Sequence, residues 1–313
     1  PMMDCTDRHC RYFHRQLSRH ALLYSEMIVD RAIIFGERER FLRFNPIEHP
    51  VALQLGGNDP KLLAEATKIA VDFGYDEVNL NVGCPSTRVE SGNFGAALMK
   101  KIDLVRSCVE AMKASAGKIP ITVKSRIGVN DQNPNEVLPE FITKVASSGC
   151  SVFIIHARKA LLGGLSPKDN RIIPPLQYPL VYEMQNKFPE LDIILNGGLT
   201  DLKYIKSVLR NPVAGVMIGR EAYENPSILL RVDQDIFDEK DGSRDMKDAI
   251  WNMIEYCNRE QAEGTTMKGI LKHLKGAFKG QANSKDFKRL LFCNQTTDSE
   301  KLKKLSNLVP FYA

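Results

Sequence analysis

The segment Asn79-Leu80-Asn81-Val82-Gly83-Cys84-Pro85-Ser86-Thr87-Arg88 holds the side chain best suited to chemistry in this chain. A lone cysteine, Cys84, follows an apolar, strand-like run and precedes a glycine-rich turn from Gly92 to Gly95. That order places a thiol at the C-terminal mouth of a βα unit, where parallel α/β folds carry their catalytic groups. Pro85 fixes the chain direction just after it and removes one backbone donor. A thiol held on such a loop can deliver a proton or attack an electrophile. Most free cysteines are small buried hydrophobes instead, and the local residues leave both readings open.

Other strand-like runs also end on polar groups. Gln54, in Leu53-Gln54-Leu55-Gly56-Gly57, has a donor and an acceptor suited to the edge of a flat heterocycle. Lys124, in Val123-Lys124-Ser125-Arg126-Ile127-Gly128, could stabilise negative charge on a reduced cofactor ring. His156 ends Ile155-His156-Ala157-Arg158-Lys159, and two later runs end Asn196-Gly197-Gly198 and Ile218-Gly219-Arg220. Glycine amides after the last two strands, with an arginine, make the usual phosphate site of a TIM barrel. Each motif alone is ordinary turn chemistry, but five in register around one rim point to a site.

The elements that must position these groups alternate. Strand-like runs are Pro1-Met3, Ala21-Tyr24, Val51-Leu55, Glu77-Leu80, Ile121-Lys124, Ser151-Ile155, Asp192-Leu195 and Ala214-Ile218. Helical patterns lie between most of them. Asp59-Pro60 reads as N-cap and first turn, Leu62, Leu63, Ala66, Ile69, Ala70 and Phe73 recur at helical spacing, and Gly74 stops the helix. A second helix begins at Asp103, with Val105, Cys108, Val109 and Met112 on one face, which makes Cys108 a core residue. Strands alternating with helices predict a parallel sheet, because parallel neighbours need crossovers. Eight such units predict a (β/α)8 TIM barrel over residues 1–236, with a doubly wound open sheet as the alternative. The acidic stretch Asp233 to Asp241, with Gly242 and Ser243, reads as a linker. A small all-helical domain, 237–313, then follows, with Trp251, Ile254 and Tyr256 supplying large apolar contacts.

Composition narrows the partners. Between Thr265 and Leu305 ten Lys or Arg face three acids, giving +7, whereas the whole chain of 313 residues is +5. A basic C-terminal module on a near-neutral body suggests a polyanionic partner, although a solvated lysine face would give the same count. The seven cysteines are scattered, without a disulfide framework or zinc spacing. Cys5, His9, Cys10 and His14 are close in sequence, but a helix there would splay them over several faces, so no metal is expected. No apolar run has membrane-spanning length and no signal peptide is visible, so a cytoplasmic protein is expected. A monomer is the expected state. The chain begins at Pro1 on what reads as a strand end, so the native N-terminus is expected to lie upstream.

Together these residues resemble the tRNA-dihydrouridine synthases. The resemblance is carried by Pro1-Met2-Met3-Asp4, Asp7-Arg8-His9-Cys10-Arg11-Tyr12, the Gln54 and Cys84 motifs, His156-Ala157-Arg158-Lys159 and Gly164-Leu165-Ser166-Pro167-Lys168. Asn170-Arg171-Ile172-Ile173-Pro174-Pro175-Leu176 narrows it to the A-type bacterial subfamily, and the similarity runs from Pro1 to about Phe292. It implies an FMN-containing barrel with a C-terminal helical RNA-binding domain, NADPH as reductant, and U20 and U20a of the tRNA D-loop as targets. Pro1, Met2, Met3, Gln54, Lys124, His156, Asn196, Gly197, Gly198, Gly219 and Arg220 would bind FMN. Cys84 would be the proton donor, and Asn81, Lys168 and Arg171 would touch tRNA. Three positions depart from the subfamily pattern: Cys5 and Leu161 stand where Trp is usual, and Thr87 where an acidic residue is common.

The chemistry is consistent with that likeness. Reducing the uracil C5=C6 bond needs a hydride at C6, from reduced FMN N5, and a proton at C5, which Cys84 can give. The base must leave the folded tRNA to reach a flavin. The basic helices, with Lys285, Lys288 and Arg289, would hold the phosphate backbone. A flavin barrel acting on a free pyrimidine, like a dihydroorotate dehydrogenase, would need neither the cationic helices nor the long loop Lys159 to Leu176. A non-catalytic tRNA-binding module would not need Cys84, Lys124 and His156 together.

Overall fold

A computed structural model describes residues 1–240, 244–282, 284–293 and 297–308. Tertiary contacts divide the chain into two units. The first comprises Pro1, Tyr24–Phe44 and Val51–Ile218; the second comprises Met2–Leu23, Asn45–Pro50 and Gly219–Ala313. The expected division at 236/237 differs from this one, because the N-terminal helix shares its contacts with the C-terminal helices rather than with the sheet.

The first unit is an α/β, TIM-barrel-like sheet with helical crossovers. Its strands are β1 (Leu23–Val29, of which Leu23 falls to the second unit), β2 (Val51–Gly56), β3 (Glu77–Val82), β4 (Ile121–Arg126), β5 (Val152–His156), β6 (Asp192–Asn196) and β7 (Gly215–Met217). They lie in sequential order, paired in parallel from β2 to β7. Every residue of β2 and β3 is buried, as expected for parallel strands covered on both faces. The helix Pro60–Asp72 is capped by Asp59, whose carboxylate accepts from the Lys61 and Leu62 amides. It packs beside the helix Ile102–Ser115, which buries Val105, Cys108, Val109 and Met112 as its spacing predicts.

Seven of the eight expected strands form, displaced by up to a few residues. Pro1–Met3 does not. The Met2 carbonyl instead accepts from the Cys5 and Thr6 amides at 3.1 and 3.0 Å, and Asp4 takes a left-handed φ of 61°. A carbonyl spent in a local turn cannot serve a strand ladder.

The second unit is helical. Its first helix, Arg8–Leu17, buries every residue from His9 to Leu17 despite its polar sequence. Its polar groups find partners inside the unit. Tyr12 stacks on Tyr256 at 4.0 Å, and His9 Nδ1 lies 2.7 Å from the Tyr256 hydroxyl. Arg11 Nε donates to Glu48 at 2.7 Å, and Arg15 donates to the Ser18, Ala21, Glu48 and Pro50 carbonyls. Ile254 and Tyr256 are buried as expected, but Trp251 is 40% exposed. The acidic linker also differs from expectation. Val232–Ile236 is helical, and Asp233 is buried. Its carboxylate accepts from the Ser18 hydroxyl and from the Arg19 and His20 amides, so this acid is an anchor rather than a solvated spacer. Residues 241–243 of that linker lie outside the described residues.

Asp233→Ala would leave the buried Ser18 hydroxyl without its acceptor, while the Arg19 and His20 amides, on exposed residues, can turn to water. Stability should fall by about 1–3 kcal/mol, the cost of one buried group left unsatisfied. Urea denaturation of parent and variant checks this.

Candidate active site

The first unit gathers its polar side chains where its strands end. Parallel register sets Gln54 opposite Asn79, Asn81 opposite Lys124, Arg126 opposite His156, and His156 opposite Asn196. These residues come from five separate segments, and only parallel pairing brings their C-terminal ends to one edge.

Cys84 sits two residues beyond β3. Its amide and that of Gly83 donate to Asn81 Oδ1 at 2.9 and 3.0 Å. The Cys84 carbonyl accepts from the Ala96 amide at 2.9 Å. This return of the chain requires Gly95, at φ +63°, because a Cβ there would lie 2.7 Å from the Cys84 carbonyl oxygen. The Cys84 thiol is half-buried and 3.6 Å from the Ser86 hydroxyl. Cys108, Cys150 and Cys257 differ sharply: they are buried, and burial pushes each thiol up to about 12. Such thiols are poor proton donors and poor nucleophiles at neutral pH.

Lys124 reaches across the sheet to Asn196, its Nζ donating to Oδ1 at 3.0 Å, while Asn196 Nδ2 donates to the Met217 carbonyl at 2.8 Å. Burial, reinforced by the Arg126 charge, lowers the Lys124 ammonium to about 7. Arg126, 3% exposed, donates to the carbonyls of Gly83, Lys159 and Asn170. It therefore ties the Cys84 loop to the loop after β5. Burial, together with Arg171 and Arg158, disfavours its charge, but a guanidinium stays protonated at neutral pH. The second loop is stapled from within by Asn170, fully buried, which bonds the Leu161 amide and the Leu161, Leu165 and Ser166 carbonyls.

Gly197 and Gly198 have φ of +111° and +69°. A Cβ on Gly197 would come within 2.6 Å of the His156 ring, and one on Gly198 within 2.5 Å of Leu176. Consecutive glycines of this kind let backbone N–H groups approach an anion closely. His156 and Asn196 border this cradle, Lys124 reaches Asn196, and Gln54 lies farther along the sheet on β2; the set fits a flavin, with amide groups for a ring edge, a cation for its reduced form and a phosphate seat.

Of the sequence-predicted residues, Gln54, Asn81, Cys84, Lys124, His156, Asn196, Gly197 and Gly198 are brought together in the first unit, where Pro1 also belongs. Lys168, exposed, and Arg171, half-buried, lie on the Asn170-stapled loop. Met2, Met3, Gly219 and Arg220 belong to the second unit, where the Met2 sulfur lies 4.0 Å from where a Gly219 Cβ would be. Lys285, Lys288 and Arg289 are exposed on the helix Ser284–Leu291, whose Phe287 and Leu291 face inward, and Arg289 pairs with Asp286 at 3.0 Å. Sequence reasoning missed Asn79, Thr122, Arg126 and Asn170. A signal existed for the first: Glu77, Asn79 and Asn81 are polar at period two inside a fully buried strand.

Comparison with known proteins decides the family. The sequence profile described as Dihydrouridine synthase (Dus) matches residues 1–310. The chain belongs to the dihydrouridine synthase family. It is 52% identical over 291 residues to a tRNA-dihydrouridine(20/20a) synthase of Synechocystis sp., covering 93% of this chain and 86% of that protein. It is 51% identical over 292 residues to the protein of the same name from Escherichia coli K12, covering 93% and 84%. Among solved structures, the old yellow enzyme homologue from Zymomonas mobilis superposes with a TM-score of 0.55 at 13% identity, over 75% of this chain and 85% of that one. Morphinone reductase does so with 0.51 at 12%, over 73% and 82%. These two share the fold of this synthase family.

The Lys124 shift has a stability consequence. Its folded value, about 7, lies below the ordinary 10.5, so between those pH values the unfolded chain binds the extra proton. Apoprotein stability should therefore rise with pH across this window, and Lys124→Met should remove that rise. Denaturation at pH 7 and pH 10 measures the difference; equal slopes in parent and variant would contradict it.

Proposed function

We propose that the protein reduces uridines of the tRNA D-loop, at positions 20 and 20a, to 5,6-dihydrouridine, with FMN as its bound flavin and NADPH as reductant. The observation that carries this reading is the half-buried Cys84 thiol, fixed through Asn81 on the same strand-end edge as the Lys124–Asn196 pair and the Gly197–Gly198 cradle. The names of the relatives supply the positions in tRNA.

Pro1, Met2, Met3, Gln54, Lys124, His156, Asn196, Gly197, Gly198, Gly219 and Arg220 would hold the FMN, with the glycine amides and Arg220 on its phosphate. When bound, it supplies the hydride that reduces uracil C6. Cys84 holds the proton at Sγ and delivers it to C5, acting as a general acid. Asn81 keeps the Cys84 backbone in place by accepting from two successive amides. Lys124 balances negative charge on the reduced ring, a role suited to an ammonium whose charge is easily gained at neutral pH. Asn81, Lys168 and Arg171 would meet the tRNA near the reacting base. Lys285, Lys288 and Arg289 would meet phosphates, which position the substrate without reading its sequence.

The direct test is the purified protein itself. It should carry FMN rather than FAD and form dihydrouridine in tRNA but not in free uridine; bound FAD, or equal activity on free uridine, would reject the reading. Cys84→Ala should keep flavin reduction by NADPH yet lower dihydrouridine formation about 10²–10⁴-fold, the usual contribution of a general acid. Cys5→Ala and Cys108→Ala serve as controls and should stay near parent rates in the same single-turnover assay.

The Lys285→Glu/Lys288→Glu/Arg289→Glu variant should raise the tRNA KM and flatten its dependence on salt, because fewer counterions are released on binding. Lys285 and Lys288 should account for most of the effect, since Arg289 is already paired with Asp286. Gel-shift titrations at two ionic strengths check this, and an unchanged salt slope would assign these residues to a merely solvated helix face.

A further inference from the structure

Beneath the proposed site runs a continuous line of side-chain hydrogen bonds whose inner members, Glu77, Thr122 and Asn79, have no part in the proposed reaction. Glu77, the first residue of β3, is 7% exposed, and its Oε1 accepts from the Tyr24 hydroxyl and the Thr122 hydroxyl, both at 2.6 Å. Thr122 Oγ1 accepts from Asn79 Nδ2 at 2.7 Å, and Asn79 Oδ1 accepts from Gln54 Nε2 at 2.7 Å. Gln54 Oε1 accepts from Asn81 Nδ2 at 2.7 Å, and Asn81 Oδ1 accepts from the Gly83 and Cys84 amides. Strand geometry makes the line possible. Glu77, Asn79 and Asn81 alternate onto one face of β3, and register sets Gln54 and Thr122 on either side of Asn79.

Every donor in the line points toward Glu77, and both ends enforce that direction. Backbone N–H groups can only donate, so the atom of Asn81 facing the Cys84 loop must be its oxygen. A carboxylate can only accept, so the single Thr122 proton goes to Glu77 and its oxygen is left for Asn79. The three amides between these ends have no freedom to flip. The outward group left on Asn81 is then one N–H, since its oxygen already takes two bonds. Gln54 keeps one N–H and one lone pair. Burial raises the Glu77 carboxyl above its ordinary value, and the Thr122 and Tyr24 hydroxyls oppose that rise.

We propose that Glu77 is a positioning residue: acting through Thr122 and Asn79, it locks the direction of the line, and with it the amide edges that Gln54 and Asn81 present and the seat of the Cys84 loop. Its importance for flavin and uridine rests on the functional reading above, but its effect on the loop does not.

Four variants test it. Thr122→Val removes the relay hydroxyl at nearly constant volume, and Thr122→Ser restores it. Glu77→Leu removes the terminal acceptor, and Glu77→Gln keeps an acceptor oxygen. Amide hydrogen exchange of Gly83 and Cys84 is read in the apoprotein, and flavin affinity is read by quenching of FMN fluorescence. With Thr122→Val and Glu77→Leu, protection of both amides should fall about five- to tenfold, and flavin affinity by a similar factor, the worth of about one hydrogen bond. Thr122→Ser and Glu77→Gln should stay within about twofold of the parent, a rescue that burial alone would not produce. Should Glu77→Leu fail to fold, the threonine pair carries the test. Unchanged protection in folded Thr122→Val, or equal losses in Thr122→Val and Thr122→Ser, would overturn the proposal. A parent protein that binds no FMN would reject the functional reading while leaving the exchange comparison intact.

Discussion

Parallel pairing is the constraint on which the catalytic unit depends. Strands β2 to β7 run in one direction and in sequential order, so their C-terminal ends share one edge. Groups far apart in sequence therefore meet: Lys124 reaches Asn196 across 72 positions, and Arg126 reaches Gly83 across 43. An antiparallel arrangement of the same strands would send alternate ends to opposite edges and disperse the set.

The cost of that arrangement is a polar interior. Strands buried on both faces are ordinarily apolar, yet β3 carries Glu77, Asn79 and Asn81 inside. These groups are tolerated because each side chain is hydrogen-bonded to the next, from Tyr24 through to the Cys84 amide, with only the outward edges of Gln54 and Asn81 left over. A buried polar network connected in this way specifies one arrangement, and a broken one would not. Arg126 does similar work from the neighbouring strand: three backbone carbonyls from two loops converge on one guanidinium. The loops at the site are thus held by bonds from rigid strands, which suits the proposed presentation of the Cys84 thiol at a fixed place.

The helical unit solves a different problem. Its first helix reads as polar but is buried, and its side chains pair with groups from distant segments, such as Glu48, Tyr256 and Arg259. Asp7 shows the balance involved. Its carboxylate caps that helix and contacts His273, and these bonds outweigh burial to hold it well below the ordinary carboxylate range. The three positions that the resemblance marks as unusual fall in both units, Cys5 in this one and Thr87 and Leu161 in the sheet unit.

Much was legible in the sequence because it depends on local rules. Alternating strand and helix periods gave the α/β architecture, Asp59-Pro60 gave a helix start, and the motifs around Gln54, Cys84, Lys124, His156 and Asn196 gave the strand-end residues. What only tertiary structure decided was pairing at long range. Pro1–Met3 resembles a strand end but spends its carbonyl in a turn. Asp233 looks like part of a solvated acidic linker, but Ser18, Arg19 and His20 arrive from more than 200 positions away to bury it. Asn79, Arg126 and Asn170 stand inside motifs, and Thr122 inside a strand-like run, that gave them no role, because their role lies in partners that a linear pattern does not place. Periodicity reports which face a residue occupies; only the folded chain determines what waits on that face.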